Sequence, residues 1–272
     1  PACVVGFGGY ASFPCSMAAI LLRKDLIIHE QNSVMSRTNR FLSKHASLIA
    51  TSFKDTKYTP KDSKTVLTGM PIRPAISGLY QRAYPKPQEN GQFNILVLGG
   101  SQGAKIFSEI VPAAIKALDK KLQQRLNITQ QCRKEDLEEL SKLYEGVDSS
   151  IVTASFFDNM PELYKNTHLV ISRAGASSVS EIAAAGIPSI LVPLPTAADD
   201  HQTLNAAEFE QNKGGLVIAQ KDFNVADLSA AITNLVENTE TLEGMANNTK
   251  KFAITDAGKR LADQVENRIR ND

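Results

Sequence analysis

Cysteine is scarce in this chain, long apolar runs are missing, and neither sign of charge prevails. Cys3, Cys15 and Cys132 are odd in number and show no Cys-x-x-Cys spacing, which excludes a disulfide framework and a zinc knuckle and fits a reducing compartment. Four scattered histidines without His-x-x-x-His spacing leave no sequence signature for a metal, and none is expected. No apolar stretch approaches the ~20 residues that cross a bilayer, so membrane contact, if any, is expected to be peripheral. Thirty Lys and Arg stand against 29 Asp and Glu, a formal net charge of +1. Such a balance provides no general field for nucleic acid, so an anionic ligand must be held by a local device. The chain begins Pro1-Ala-Cys-Val-Val with no initiator Met and no signal-peptide pattern, and is expected to lack its true N-terminus.

What is present is a rhythm of strand, glycine turn and helix across 272 residues, with 42% hydrophobic and 22% charged residues, typical of a soluble globular chain. Short unbroken apolar runs predict strands at 3–5, 26–28, 48–50, 65–67, 95–98, 151–153, 169–171, 189–192 and 216–218. Runs of this kind suit a parallel sheet covered on both faces. Helical patterns fall at 13–22, 37–44, 108–118, 134–144, 177–185, 202–211 and 225–237. The alternation predicts an α/β fold with parallel strands. Residues 77–94, with two prolines and two glycines, break the rhythm and read as a linker. The segment before it, 1–76, has too few strands for a whole doubly wound sheet and reads as the second half of a domain.

Five segments carry candidate chemistry. In Ile95-Leu-Val-Leu-Gly-Gly-Ser-Gln-Gly-Ala104 a strand enters a glycine turn and then a helix start. Gly99, Gly100 and Gly103 permit close backbone approach, Ser101 adds a hydroxyl, and the helix start offers unpaired N–H groups to an anion. A plain βα turn without ligand is an even alternative. In His168-Leu-Val-Ile-Ser-Arg-Ala-Gly-Ala-Ser-Ser-Val-Ser-Glu181 a second strand delivers Arg173 to a turn and a helix of small residues. Ser177 or Ser178 can cap that helix, and Glu181 can accept hydrogen bonds from two ribose hydroxyls or simply favour the helix dipole.

Asp199-Asp200-His201-Gln202…Asn205 follows a proline-flanked loop. Gln202 suits sugar hydroxyls, and the two aspartates read as helix caps. His29-Glu30-Gln31-Asn32 marks the rim of the first unit. His29 as a base oriented by Glu30 competes there with a satisfied structural histidine, and the latter is preferred. Arg73, closing Gly69-Met-Pro-Ile-Arg73, either reaches a phosphate or is solvated. Arg37, Arg40 and Lys44 read as a solvated helix face rather than a lipid anchor.

Gly6-Phe-Gly-Gly-Tyr10, His29-Glu-Gln-Asn32, Gly69-Met-Pro-Ile-Arg73, Gly99-Gly-Ser-Gln-Gly103, Phe156-Phe-Asp-Asn-Met160, Arg173-Ala-Gly-Ala-Ser-Ser-Val-Ser-Glu181 and Asp200-His-Gln202…Asn205 occur together and in order. In this the chain resembles, over essentially its whole length, the MurG family of lipid I N-acetylglucosaminyltransferases. The resemblance implies a GT-B fold, two Rossmann-like domains with parallel sheets facing a cleft, the first of them incomplete. It places an acceptor domain at 1–76, the linker at 77–94, a donor domain at 95–255 and a C-terminal helix at 256–272 returning to the first domain.

It implies UDP-N-acetylglucosamine as donor and lipid I as acceptor, at the cytoplasmic face of a bacterial inner membrane, with no cofactor and no metal. Ser101 with Arg73 would hold the diphosphate, and Phe157 would bring backbone groups to the uracil. Ala176, Ser177, Ser178, Val179, Ser180 and Glu181 would surround the uridine, with Glu181 on the ribose. Gln202, with His201 beside it, and Asn32 would read the sugar. Met70 stands where the family usually has Asn. The family's general base is expected to precede Pro1, so the chain is expected to bind donor and to lack part of the acceptor site. Another UDP-sugar enzyme of the same fold, such as an epimerase, and a catalytically incomplete UDP-sugar-binding fragment are the alternatives.

Overall fold

The computed structural model describes residues 1–100 and 103–270. Its strands are β1 (Cys3–Gly6), β2 (Asp25–Glu30), β3 (Leu48–Thr51), β4 (Thr65–Leu67), β5 (Phe93–Leu98), β6 (Leu126–Gln131), β7 (Ser150–Ala154), β8 (Leu169–Ser172), β9 (Ser189–Leu191) and β10 (Gly215–Val217). Between and after them lie α1 (Gly9–Leu21), α2 (Arg37–Leu42), α3 (Pro74–Ser77), α4 (Lys105–Lys116), α5 (Lys120–Arg125), α6 (Leu137–Leu143), α7 (Met160–Asn166), α8 (Ala176–Ala185), α9 (His201–Gln211), α10 (Val225–Glu237), α11 (Thr239–Lys250) and α12 (Ala257–Ile269).

Every strand pairing is parallel, in two separate sheets. The first has the order β1-β2-β3-β4 and the second β10-β9-β8-β5-β6-β7. In the second sheet the chain travels outward from β5 through β6 to β7, then returns to the other side of β5 with β8. Strands β5 and β8 are therefore neighbours from which the chain departs in opposite directions, and their carboxyl ends open a crevice that no crossover covers.

The apolar runs become strands because both faces of each sheet are packed. In β5, Ile95 and Val97 face a core with Phe107, Val111 and Ile115 of α4, while Leu96 and Leu98 face Val179 and Ile182 of α8. The first sheet is covered on one face by Met35, Leu42 and α1, and on the other by α12, where Leu261 is buried against Ile27, Leu48 and Ala50. Helix α12 thus begins beside the second unit and ends on the first, where the Arg268 guanidinium donates to the Ser47 carbonyl at 2.8 Å. The chain crosses between the units near Gly69–Arg73 and again at 252–256. At Gly69, φ is +84°, and an added Cβ would lie 2.7 Å from the Ile254 side chain, so the two crossings touch where only glycine fits.

Candidate functional site: a nucleotide cleft at the switch point

The turn after β5 and the turn after β8 lie side by side, because Leu98 pairs with Ser172. Gly99 is required by packing: a Cβ there would meet the Ala104 nitrogen and lie 2.8 Å from the Gly103 carbonyl carbon. Gly100 and Gly103 have φ of +78° and +67°, a region that L side chains avoid. Helix α4 then starts after Ala104 with no side-chain cap.

Helix α8 starts after Gly175, again with no side-chain cap, so neither Ser177 nor Ser178 fills the capping role assigned to them from the sequence. The first intrahelical bond of α8 runs from Val179 N to Gly175 O at 3.0 Å. The amides of Ala176, Ser177 and Ser178 are therefore left to a ligand or solvent, at the positive end of a helix dipole. Both turns border one cleft of about 660 Å³, whose walls include Gly99, Gly100, Gly103, Gly175, Ala176, Ser177, Ser178 and, from the other unit, Gln31 and Asn32. Backbone amides converging from two helix starts are suited to a diphosphate. Ser101 lies outside the described residues.

Arg173, named in the sequence only as part of its motif, forms the floor of this cleft. It is 8% exposed, yet its guanidinium meets no carboxylate among the described residues. It donates instead to the carbonyls of Val192 at 3.0 Å and Pro193 at 3.3 Å and to the Gln220 side chain at 2.6 Å, with its Cζ 5.2 Å from the Phe107 ring centroid. Burial lowers its pKa, but a guanidinium retains its charge. A cation with only neutral partners leaves a positive potential that an anion in the cleft would compensate.

Gln202 also lines the cleft. Its Oε1 accepts from Ala174 N at 3.2 Å and Leu194 N at 3.0 Å, so its amide nitrogen is the end presented to a ligand. Asn205, one turn further along α9, is wholly buried and ties the two units together. Its Oδ1 accepts from Ser33 N at 2.9 Å, while its Nδ2 donates to Asn32 Oδ1 and to Ala174 O, each at 3.1 Å. Asn32 is thereby held facing the cleft. The two aspartates do not cap α9 as the sequence implied: neither bonds a backbone amide there, and both adopt positive φ. Asp199 instead pairs with Arg40 at 2.8 Å, and Asp200 accepts from the Thr203 hydroxyl at 2.6 Å. Arg40 is accordingly a bridge between units rather than part of a solvated face, with its guanidinium stacked 3.9 Å from the Tyr58 ring centroid.

Helix α8 spreads the remaining candidates around its circumference. Val179 is buried in the core below the cleft. Ser180 turns to the back of the molecule. Glu181 lies beside the cleft rather than among its lining residues, held by Arg73 at 3.1 Å and by the Tyr164 hydroxyl at 3.2 Å. Burial, with the Glu181 charge beside it, holds the Tyr164 phenol well above its ordinary pKa, so it stays protonated and donates to the carboxylate. In this geometry the Arg73 guanidinium is spent on Glu181 rather than directed at the glycine turn. Phe157, half-buried after β7, lies outside the cleft lining.

His29 and Glu30 are structural. His29 is wholly buried, donates from Nε2 to the Gly69 carbonyl at 3.0 Å and lies 5.3 Å from the Phe7 ring, while burial lowers its pKa. Glu30 accepts from the amides of Asn32 at 3.1 Å and Ser36 at 2.8 Å and from Asn39 Nδ2 at 2.8 Å, which fixes the loop carrying Asn32.

Two parallel α/β units facing a cleft, with the ligand-ready amides at a switch point, define a nucleotide-sugar protein of the GT-B fold, and the sequence places it among the glycosyltransferases. Residues 94–261 match the glycosyltransferase family 28 C-terminal domain and residues 1–51 the corresponding N-terminal domain. The N-acetylmuramyl-(pentapeptide) pyrophosphoryl-undecaprenol N-acetylglucosamine transferase of Granulibacter bethesdensis is 43% identical over 266 residues, covering 97% of this chain and 69% of the relative. That of Rhodospirillum centenum is 45% identical over 267 residues, covering 97% and 70%. The crystal structure of Acinetobacter baumannii MurG superposes with a TM-score of 0.82 at 33% identity, covering 98% of this chain and 74% of that one. The chain belongs to the MurG family. The UDP-GlcNAc 2-epimerase of Neisseria meningitidis shares the fold at a TM-score of 0.71 and 16% identity, covering 98% of this chain and 76% of that one.

Proposed function

We propose that the chain transfers N-acetylglucosamine from UDP-N-acetylglucosamine to the muramyl 4-hydroxyl of lipid I, inverting the anomeric centre and making lipid II for peptidoglycan. The names of relatives at 43% and 45% identity state this transfer. The observation that carries the reading is the meeting of two uncapped helix starts, α4 and α8, with the buried Arg173 at one crevice.

In this reading the diphosphate lies between the glycine turn after β5 and the amides of Ala176, Ser177 and Ser178, with Ser101 contributing its hydroxyl. The uridine follows α8 toward Glu181, whose carboxylate accepts from the ribose, and backbone groups at Phe157 meet the uracil. Gln202 and Asn32 meet the sugar from opposite sides. Arg73 acts through Glu181, orienting its carboxylate. The acceptor oxygen forms the new bond to C1 as the C1–O bond to UDP breaks. The charge that develops on the leaving diphosphate is met by preorganised N–H groups, the α8 dipole and Arg173. No described residue is assigned as the base that takes the acceptor's proton. Residues 1–68 with 257–270 form the acceptor unit and 74–251 the donor unit, joined by the crossings at 69–73 and 252–256; 77–94, read from the sequence as the linker, lies within the donor unit, whose core takes in Ile76 and Leu79.

A lipid-linked acceptor supports work at a membrane surface, here read as the cytoplasmic face of the bacterial inner membrane. No helix among the described residues is long and apolar enough to cross a membrane. Support for peripheral contact comes from α1 and its exit, where Tyr10 is 89% exposed and Leu21 and Leu22 more than two-thirds exposed, beside the exposed Arg23 and Lys24. The test is incubation with labelled UDP-N-acetylglucosamine and lipid I in vesicles. UDP binding is expected, with labelled lipid II as the product and its formation slow for want of an assigned base; an epimerised nucleotide sugar, or folded protein that does not bind UDP, overturns the reading.

A further inference from the structure

Behind the nucleotide cleft, on the opposite side of the seam between the units, lies a second cavity of about 360 Å³. Cavities of ~300–1,000 Å³ are the size that holds small molecules. The walls come from the ends of β3 and β4 in the first unit and from α8, α9 and the 252–256 crossing in the second. One wall is the half-buried Phe252, backed by the fully buried ring of Phe209, with centroids 4.9 Å apart and planes inclined by 23°. Leu67, 37% exposed, stands at the mouth. A narrow void of about 20 Å³ runs from this region toward the front and ends at Met70, which also borders the nucleotide cleft. Met70 is thus a partition: an apolar thioether where the family usually has an amide.

The charged groups lining the cavity are Lys54, Lys251 and Arg260 and one acid, Glu208, with Asp55 close to that acid. Their commitments differ. Arg260 is paired with Asp256 at 2.8 Å, while burial and then the Asp55 charge raise the Glu208 pKa and Lys54 offsets them in part. Lys251 has no carboxylate partner among the described residues and donates only to the neutral Asn248 Oδ1, at 2.7 Å. An apolar body and one unneutralised ammonium define the complement: an apolar tail carrying one negative charge. A single flexible lysine matches a monocarboxylate, whereas a dianionic phosphate calls for a bidentate partner.

We propose that this rear cavity is a second ligand site, distinct from the nucleotide cleft, for an amphipathic monocarboxylate whose apolar chain lies against Phe252 and Leu67 and whose head meets Lys251. The inference does not rest on the transferase reading. Calorimetry of the whole chain with decanoate tests it, with decanol and decyltrimethylammonium as the neutral and cationic arms. Saturable binding of one decanoate is expected, with decanol at least about tenfold weaker and the cation without measurable binding. Lys251→Glu and the mouth-filling Leu67→Trp each change an exposed residue, and each is expected to weaken decanoate at least about tenfold with the circular dichroism of the fold retained. Decanoate is expected to bind equally when UDP is present at saturation. The proposal is overturned if binding is not saturable, if decanol binds as well as decanoate, if Lys251→Glu binds like the parent, or if UDP displaces decanoate one for one.

Discussion

The amide of Asn205 donates to the amide oxygen of Asn32 at 3.1 Å, a contact between α9 of the second unit and the loop leaving β2 of the first. The same side chain also serves Ser33 N and Ala174 O, so one buried residue sets the spacing of the cleft walls. Replacing it by alanine strands a buried donor and a buried acceptor. Asn205→Ala is expected to lower unfolding free energy by about 1–3 kcal/mol in urea titration, and to weaken UDP-N-acetylglucosamine more than UDP, because Asn32 loses its orientation.

Glu181 is held from both sides by Arg73 and Tyr164, an arrangement that fixes its carboxylate on α8 beside the cleft. Glu181→Gln keeps the shape and removes the charge. Its expected cost is about tenfold or more in UDP affinity, the range for a hydrogen bond to a charged group. The same substitution is expected to cost much less with 2′-deoxy-UDP, and equal losses for the two nucleotides would remove Glu181 from the ribose.

At Gly99 the constraint is steric. A methyl group there runs into the Ala104 nitrogen and the Gly103 carbonyl carbon, both parts of the turn itself. Gly99→Ala is expected to reduce UDP affinity at least about tenfold, and to lower thermal stability, through displacement of the turn. A control at Gly100 is less informative, because strain there arises from its φ of +78° rather than from contact.

His168 supplies a pH dependence of stability. Its Nδ1 accepts from Asn94 N at 2.8 Å and its ring lies 5.2 Å from Phe93, so burial moves its pKa from the ordinary 6.5 to about 4. The unfolded chain therefore binds a proton that the folded chain refuses between these values. The neutral ring's contribution is fully present above about 6.5 and is lost as pH falls toward about 4. His168→Asn, which keeps an acceptor for the Asn94 amide, is expected to flatten the stability loss between pH 7.5 and 4.5 in urea titrations.

Much of the fold was legible because its strands are buried on both faces and so read as unbroken apolar runs. Strand β6 escaped that criterion. Its burial alternates, with Asn127, Thr129 and Gln131 half-buried, and its buried Gln130 accepts from the Tyr144 hydroxyl, so the segment looks polar. Short α7, with proline in its first turn, carries little periodicity. At the cleft, the glycine turns and Gln202 were legible from local pattern. The bridge from Arg40 to Asp199 and the clasp at Asn205 were not, since their partners are 159 to 173 residues away and only the packed units bring them together. The serine caps expected on α8 failed for a related reason: Gly175 takes the capping position, and the amides stay open.

A crystal structure of the chain soaked with UDP is the most direct test of where the nucleotide lies. The account predicts diphosphate oxygens within hydrogen-bond distance of the Ala176 and Ser177 amides and of the turn after Leu98, with Arg173 beneath. A diphosphate seated elsewhere, with those amides bonded only to solvent, would contradict it.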